Sequence, residues 1–479
     1  VVGRCADEGG SRLIVQRVGV GIDFGTTNTA AAIYDGARVE LISLDASTQI
    51  MPSATYIDSE LQTQTGQAAI DRYIADNVGR TVELVPEVIG ESTLVVGDPD
   101  PEGRRPVETL TKRVYGQPVR DCGLKGRLFR GVKRLLGDPN VRRLMVFDHP
   151  FRLVALITPI LLHVRREIDR AIGAMTHASV GHPVKFEGRD PHRDQLALSR
   201  LGEAYGHAGV KEHKFYPEPI AAAVSYLAGH PDTAGRSVLT VDFGGGTLDF
   251  CVLRAREADF DVIATHGVAL GGDHIDQRLF RTLLFPALGK GEIWRRRGFD
   301  KQEIETRFPF EDYEDLLLNW AVTYLLNQNK YTTPMMDCIA QGGPAAVKFR
   351  RLRELIQQNL SYTVFQSIKD FKAALSSADE AVLDIPEIDI EIRLTRGDFE
   401  ALIGDLLQQF EQGVDETLGK CGMSADSIDL VLRTGGSSLI PAVRRILEER
   451  FPGRVVEHDP FTSVAAGLAI ADFRGYRFS

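Results

Sequence analysis

Cysteine is scarce: Cys5, Cys122, Cys251, Cys338 and Cys421 are scattered, odd in number and never at CxxC spacing. Such usage argues against a disulfide framework or a structural zinc site and fits idle thiols in a reducing compartment, so a cytoplasmic protein is expected. Long apolar runs are missing as well; none approaches the roughly 18 residues of a membrane span, and no membrane partner is expected. The opening VVGRCADEGGSRLIVQR has charges and glycines where a signal peptide needs an apolar core, so Val1–Arg17 is read as a mobile leader. No long basic run is present and the formal charge is -10, which disfavours a general nucleic-acid binder. The eleven histidines form no HExxH spacing that would suggest a metal site. Phosphate-binding signatures are absent in their commonest forms. Lys290 and Lys420 follow glycines without the Ser/Thr of a Walker A loop, and no GxGxxG turn links a strand to a helix. Around Ser437 the GxSxG spacing of a nucleophile elbow fails too.

What is present is an ordinary globular composition, 43% hydrophobic and 25% charged, in a chain long enough for more than one core. VGVGIDFGTTNTAAAI (18–33) reads as two apolar strands around a Gly/Thr/Asn turn, and VLTVDFGGGTLDFCVL (238–253) repeats the pattern. Asp23-Phe24-Gly25 overlays Asp242-Phe243-Gly244, which suggests a duplicated domain with two hairpins facing a cleft. Between them, Pro150–Ala174 and Arg193–Gly209 read as helices, ASVGHPVKF as a strand, and Lys214–Tyr226 as a strand entering an Ala-rich helix. Near the end, IDLVLRTGG reads as a strand and glycine turn, LIPAVRRILEERF and DPFTSVAAGLAIADF as helices. The stretch from about Phe280 to Leu360 resists parsing; its WRRR (294–297) reads as solvated surface.

Three glycine turns therefore follow apolar strands: Gly25-Thr26-Thr27, Gly244-Gly245-Gly246-Thr247 and Gly435-Gly436-Ser437-Ser438. Converging, they supply backbone N–H groups for an anion. Asp23 and Asp242 at their mouths would repel phosphate unless Mg²⁺ lies between, usually through water, since Mg²⁺ dehydrates reluctantly.

GIDFGTTNTA, VDFGGGTLDF and TGGSSLIPAV resemble the two phosphate motifs and the adenosine motif of the actin, sugar-kinase and 70-kilodalton heat-shock superfamily. Further segments favour the heat-shock branch, closest to its short one-domain bacterial (YegD-like) members. The resemblance runs in order from Val18 to about Phe473. It implies an α/β actin-like ATPase fold, with two ribonuclease-H-like lobes around a nucleotide cleft that takes ATP/ADP with Mg²⁺. FRGVKRLLGD (129–138) is similar to the segment carrying the family's catalytic lysine and implicates Lys133; YPEPIAAAVSY (216–226) implicates Glu218. As the resemblance implies, Lys133 positions the attacking water, and Asp23, Asp242 and Glu218 orient hydrated Mg²⁺. Thr26, Thr27 and Thr247 hold phosphate oxygens, with Gly25, Asn28, Gly244, Gly245 and Gly246 in the same turns. VALGGDHIDQRL (268–279) adds Gly271 and Gly272; IKDFKAALSS (368–377) adds Lys372 and Ser376; the adenosine motif adds Gly435, Gly436 and Ser437. The implied domains are lobe I at 18–230, with 45–150 as its outer subdomain, and lobe II at 231–479. Lobe II carries 273–384 as an enlarged outer subdomain and a final helix at 462–474 returning to lobe I.

The sequence departs from the family's pattern. Lys369 stands at a glutamate position, Leu439 where an arginine stacks on adenine, and Phe461 where a late aspartate is usual. Weaker adenine binding and selectivity are the expectation. Pro183 and Arg193 match the pair that relays nucleotide state, with two extra residues between them. No peptide-binding sandwich and lid are expected after the closing helix. The stretch between the LGGDHID turn and the Lys372 helix is roughly twice the length that the resemblance implies, which makes 281–360 either an inert enlargement or a protein-partner surface. Two other classes stay open: a nucleotide-gated scaffold with little hydrolysis, and an actin-like or sugar-kinase-like member of the superfamily.

Overall fold

A computed structural model describes residues 17–45, 48–96, 108–188, 190–257, 259–297 and 302–476. The expected leader lies outside the described residues except for Arg17, whose guanidinium sits 5.3 Å from the centre of the Phe473 ring. Four of the cysteines are free thiols, and the fifth, Cys5, also lies outside. Among the described residues no helix is long and apolar enough to cross a membrane.

Two sheets share one strand order. The first runs Glu212–Pro217, His177–His182, Gly19–Phe24, Asn28–Tyr34, Val39–Leu41; the second runs Val455–Glu457, Leu430–Thr434, Ser237–Phe243, Leu248–Ala255, Phe260–Val268. In each, the central strand pairs antiparallel with its successor through a tight hairpin and parallel with a strand that arrives much later. This is the ribonuclease-H-like arrangement that the repeated hairpins predict, and the two aspartates occupy the same place, one residue before the end of each central strand. Ser237–Phe243 is buried along its whole length, as a strand covered on both faces requires.

The expected helices form at Leu153–Ile172, Arg193–His207, Glu218–Gly229, Pro441–Arg450 and Ser463–Arg474. The strand read in ASVGHPVKF stops at His182, before Pro183, which has no N–H to donate to a ladder. The segment that resisted parsing folds as a π-helical turn (Phe280–Leu284) running into a short helix (Phe285–Ala287), a hairpin (Ile293–Arg297 with Glu303–Arg307), a 3-10 turn (Thr323–Asn327) and helices at Glu311–Leu317, Asn329–Gln341 and Gly343–Gln357. Its elements up to Asn327 are short, and the helix that follows contains Pro334, so no regular period announces this part of the segment. Phe280, Phe285, Phe308, Phe310, Tyr313 and Phe349 join its interior to the core of the second sheet. WRRR lies on the hairpin, where Arg295 pairs with Glu305 at 2.7 Å and Arg296 lies over Trp294.

The last helix covers the first strand at backbone distance. A Cβ on Gly19 would stand 2.2 Å from the Ala469 carbonyl oxygen, and one on Gly21 2.2 Å from that of Ala465. On its other side, Gly467 meets the helix Glu218–Gly229, where a Cβ would fall 1.7 Å from the Ala221 oxygen. The N–H of Val20 donates to the buried Asp472 carboxylate (3.0 Å), which also accepts from Ser179 Oγ (3.2 Å). Backbone cannot yield to a methyl group, so Gly467→Ala should destabilise the chain by about 1–3 kcal/mol or more, read as a lower denaturant midpoint. An unchanged midpoint would mean that the two helices are not in contact as described.

Candidate functional site

The two hairpin turns face one another. A Cβ on Gly245 would come 2.4 Å from Thr27 Oγ1, and one on Gly246 2.9 Å from Thr26 Oγ1. Side chains at these glycines would close the space between the strands, which explains the glycine run. Gly435, at φ +80°, takes a left-handed conformation against the carbonyl of Phe243, bringing the third turn alongside. Together they bound a cavity of about 420 Å³. Its walls include Asp23, Gly25, Thr26, Thr27, Asn28, Lys133, Glu218, Asp242, Gly244, Gly245, Gly246, Thr247, Lys372, Ser376, Gly435, Gly436 and Ser437.

Gly271 and Gly272, expected among the nucleotide-binding residues, lie beside this space and are not among the residues that line it. They buttress it instead. Gly272 N donates to Gly244 O (3.0 Å), and a Cβ on Gly271 would press within 2.3 Å of the Gly245 carbonyl. Lys372 lines the cavity but aims its ammonium at Asp276 (2.6 Å) and Gly272 O (3.1 Å). Of the expected relay pair, Pro183 reaches the cavity, whereas Arg193 binds the carbonyls of Phe186 (2.8 Å) and Asp190 (3.0 Å) and so braces the loop between them.

The charged centre is strongly coupled. Lys133 Nζ donates to Glu218 Oε1 at 2.6 Å in a buried pair. Burial alone would push the lysine down, but Glu218 and Asp23 outweigh it and hold the ammonium above its usual range. Burial lifts the Asp23 carboxyl well above the carboxylate range, with Glu218 and Asp242 adding to the rise and Lys133 opposing it. Asp242 is raised likewise, by burial first and by Glu218 and Asp249 after it. The cluster thus holds more carboxylate than one ammonium can balance, and a hydrated divalent cation fits that excess. Among the described residues no three His, Cys, Asp or Glu side chains are grouped closely enough to ligate a metal directly. Contact through water, the mode expected of Mg²⁺, is what this donor set suits.

Asp249 escaped sequence reasoning. It is buried, accepts from Thr247 Oγ1 (2.7 Å) and Val184 N (2.9 Å), and so ties the second glycine turn to the Pro183 loop. The only signal was its place two residues after Thr247, on the strand Leu248–Ala255. Arg134, Glu187 and Asp273 also escaped: Arg134 binds Glu187 (2.8 Å) and Asp273 (3.3 Å) at the cavity wall, and Lys369 pairs with Asp273 (3.6 Å).

A second finding concerns the enlarged segment, which is neither a separate lobe nor only a free surface. Its far end straps across to the helix Gly66–Asn77 and the strand Gly126–Arg130. Gly79 N donates to Gln358 O (2.9 Å), Val82 N to Gln357 O (2.7 Å) and Asn359 Nδ2 to Asn77 O (2.9 Å). Trp320, Tyr73 and Tyr362 meet edge to face, with ring centres 5.1–5.7 Å apart, and Arg130 donates to the Tyr362 hydroxyl at 3.0 Å. Behind this strap a larger cavity of about 690 Å³ opens onto the same Thr26, Thr27 and Arg134.

The Hsp70 protein family matches residues 19–98, 149–291 and 352–472. The chain belongs to that family. With membership comes the actin-like ATPase fold, in agreement with the two sheets. Heat shock 70 kDa protein BIP3 of Oryza sativa subsp. japonica is 27% identical over 461 residues, which cover 94% of this chain and 56% of that protein. The chain thus spans little more than half the length of this curated Hsp70 relative. The matched stretches pass over 99–148 and 292–351. Lys133 falls in the first gap, and most of the strap-bearing segment of this Hsp70 chain falls in the second.

Burial and Glu218 push the Asp249 carboxyl up to about 7, from 3.8. A carboxyl raised on folding stabilises the folded state below its unfolded pKa, and that contribution is lost as pH rises through the folded value. The metal-free chain should therefore lose stability on the order of a few kcal/mol from this group between about pH 4 and about pH 8. Asp249→Asn should flatten that decline in denaturant titrations with chelator present. An identical slope in the variant would place Asp249 in a more solvated setting.

Proposed function

We propose that the chain binds ATP and ADP with Mg²⁺ in the smaller cavity and hydrolyses ATP slowly, as a chaperone-like ATPase with lobes at 18–230 and 231–479. The observation that carries this reading is the apposition of two glycine hairpins, each with its aspartate, around the buried Lys133–Glu218 pair. Backbone N–H groups of the three turns and the hydroxyls of Thr26, Thr27 and Thr247 bind the phosphates. A hydrated Mg²⁺ at Asp23 and Asp242 would neutralise part of the phosphate charge. Lys133 holds a water in line with the γ-phosphorus and stabilises the charge that develops; ADP leaves as the P–O bond forms to water. Glu218 keeps the ammonium charged and in place. The work is positioning and charge stabilisation, with no covalent intermediate.

Lys133→Ala should abolish hydrolysis in single-turnover assays while ATP binding stays within about tenfold, ~1.4 kcal/mol. Hydrolysis at the wild-type rate would remove Lys133 from the mechanism. Lys133→Met, closer in volume, separates loss of the ammonium from loss of packing.

The strap favours long residence of nucleotide, and with it a second reading, a nucleotide-gated scaffold whose state matters more than its turnover. Family members act on client proteins, and any protein that grips residues 281–360 could loosen the strap. Trp320→Ala removes the ring shared by Tyr73 and Tyr362, contacts worth about 0.5–1.5 kcal/mol per aromatic pair beyond burial. Release of a fluorescent ADP should be faster by roughly tenfold, with equilibrium binding of Mg²⁺ and phosphate contacts intact. A release rate equal to wild type would show that the strap does not gate the cleft.

A further inference from the structure

We infer that Phe461 is the platform on which the nucleobase stacks, and that this pocket takes purine nucleotides with little regard to which purine they carry. The inference rests on the proposed phosphate site and concerns the opposite end of the same cavity. That end is lined by Ala373, Leu439, Ile440, Pro460, Phe461 and Val464. Phe461 is 43% exposed, although 23 phenylalanines are available to this chain and its large interior rings are fully covered. Its Cε1 lies 3.2 Å from where a Cβ on Gly436 would stand, so the ring sits directly against the third glycine turn.

The backbone that carries the ring is held. Asp459 Oδ1 accepts from the N–H of Phe461 (3.0 Å) and of Thr462 (3.0 Å), and its other oxygen accepts from Thr462 Oγ1 (2.5 Å). Thr434, the last residue of the strand that leads into Gly435-Gly436, donates to the Asp459 carbonyl at 3.0 Å. A loop clamped at four points brings an aromatic ring to the cavity with little further ordering of its backbone on binding.

Polar groups nearby are turned toward the protein. Lys372 is committed to Asp276 and the Gly272 carbonyl, Ser376 Oγ donates to Lys372 O (3.2 Å), and Ser437 Oγ donates to Gly244 O (2.9 Å). Lys369 faces Asp273. A site discriminates strongly between an amino group and a carbonyl only when it aims donors or acceptors at that edge; an apolar pocket rejects such pairs weakly. Stacking on a ring is available to every base, because each has a π-face. Leu439 supplies no planar cation to sandwich the base, so the single aromatic face carries the contact.

The test uses the intact chain with Mg²⁺ and three probes, ATP, GTP and inorganic tripolyphosphate, in calorimetric titrations. The expected result is ATP and GTP within about threefold of each other and both at least about tenfold tighter than tripolyphosphate. Phe461→Ala should remove at least about tenfold of affinity from both nucleotides and leave tripolyphosphate unchanged, while Phe461→Trp keeps the nucleotide advantage. Preference for ATP over GTP by about a hundredfold or more, or nucleotide affinities untouched in Phe461→Ala, overturns this inference alone. Failure of tripolyphosphate and both nucleotides to bind overturns the phosphate site, and the inference falls with it.

Discussion

Everything in this molecule that points to chemistry depends on two backbone turns approaching to within the width of a side chain. The turn after Phe24 and the turn after Phe243 come so close that a methyl group on Gly245 or Gly246 would collide with Thr27 or Thr26. That distance fixes the spacing of Asp23 and Asp242, and the sheets behind the turns set the angle. Because both sheets use one strand order, each delivers its aspartate one residue before the turn. Lys133 and Glu218 then occupy the floor, where the surrounding burial makes their charges strong.

Much of this was legible in the chain. The hairpins announced themselves through apolar strands flanking glycine turns, and their duplication carried the fold class. Lys133 and Glu218 were singled out by resemblance in short distinctive segments, and the fold brings those two segments together as a buried ion pair. Other residues were silent for physical reasons. Asp249 looks like a stray polar residue in a mostly apolar, buried strand; only the three-dimensional meeting of Thr247 with the Pro183 loop gives it partners. Gly271 and Gly272 stand behind the glycine turns, and sequence cannot tell a residue that lines a cavity from one that backs it. The segment from Phe280 to Leu360 failed for another reason. Its helices are held by long-range aromatic packing, so local period and capping signals are weak.

That segment alters how the architecture should be viewed. Two lobes joined only at the base of a cleft are free to open like a hinge. Here Trp320, Tyr362 and the backbone at Gln357–Asn359 add a second junction at the outer rim, made of rings and hydrogen bonds rather than exposed ion pairs. Exposed ion pairs weaken with salt, whereas aromatic contacts and hydrogen bonds between neutral groups are screened far less. The rim contact is therefore a fixture that persists across ionic conditions.

The bond from Val20 N to the Asp472 carboxylate joins residues 452 positions apart. A chain emerging from the ribosome in order releases its first strand early, yet the helix that covers that strand follows only after more than 400 further residues. Until then Gly19 and Gly21 present a bare, side-chain-free groove to the surroundings. Pairings of such wide separation are slow to form, and sheets left uncovered in the interval are prone to unwanted association. Biosynthesis of this fold thus contains an unavoidable waiting period, one in which the nascent chain itself has the exposed surface on which chaperones act.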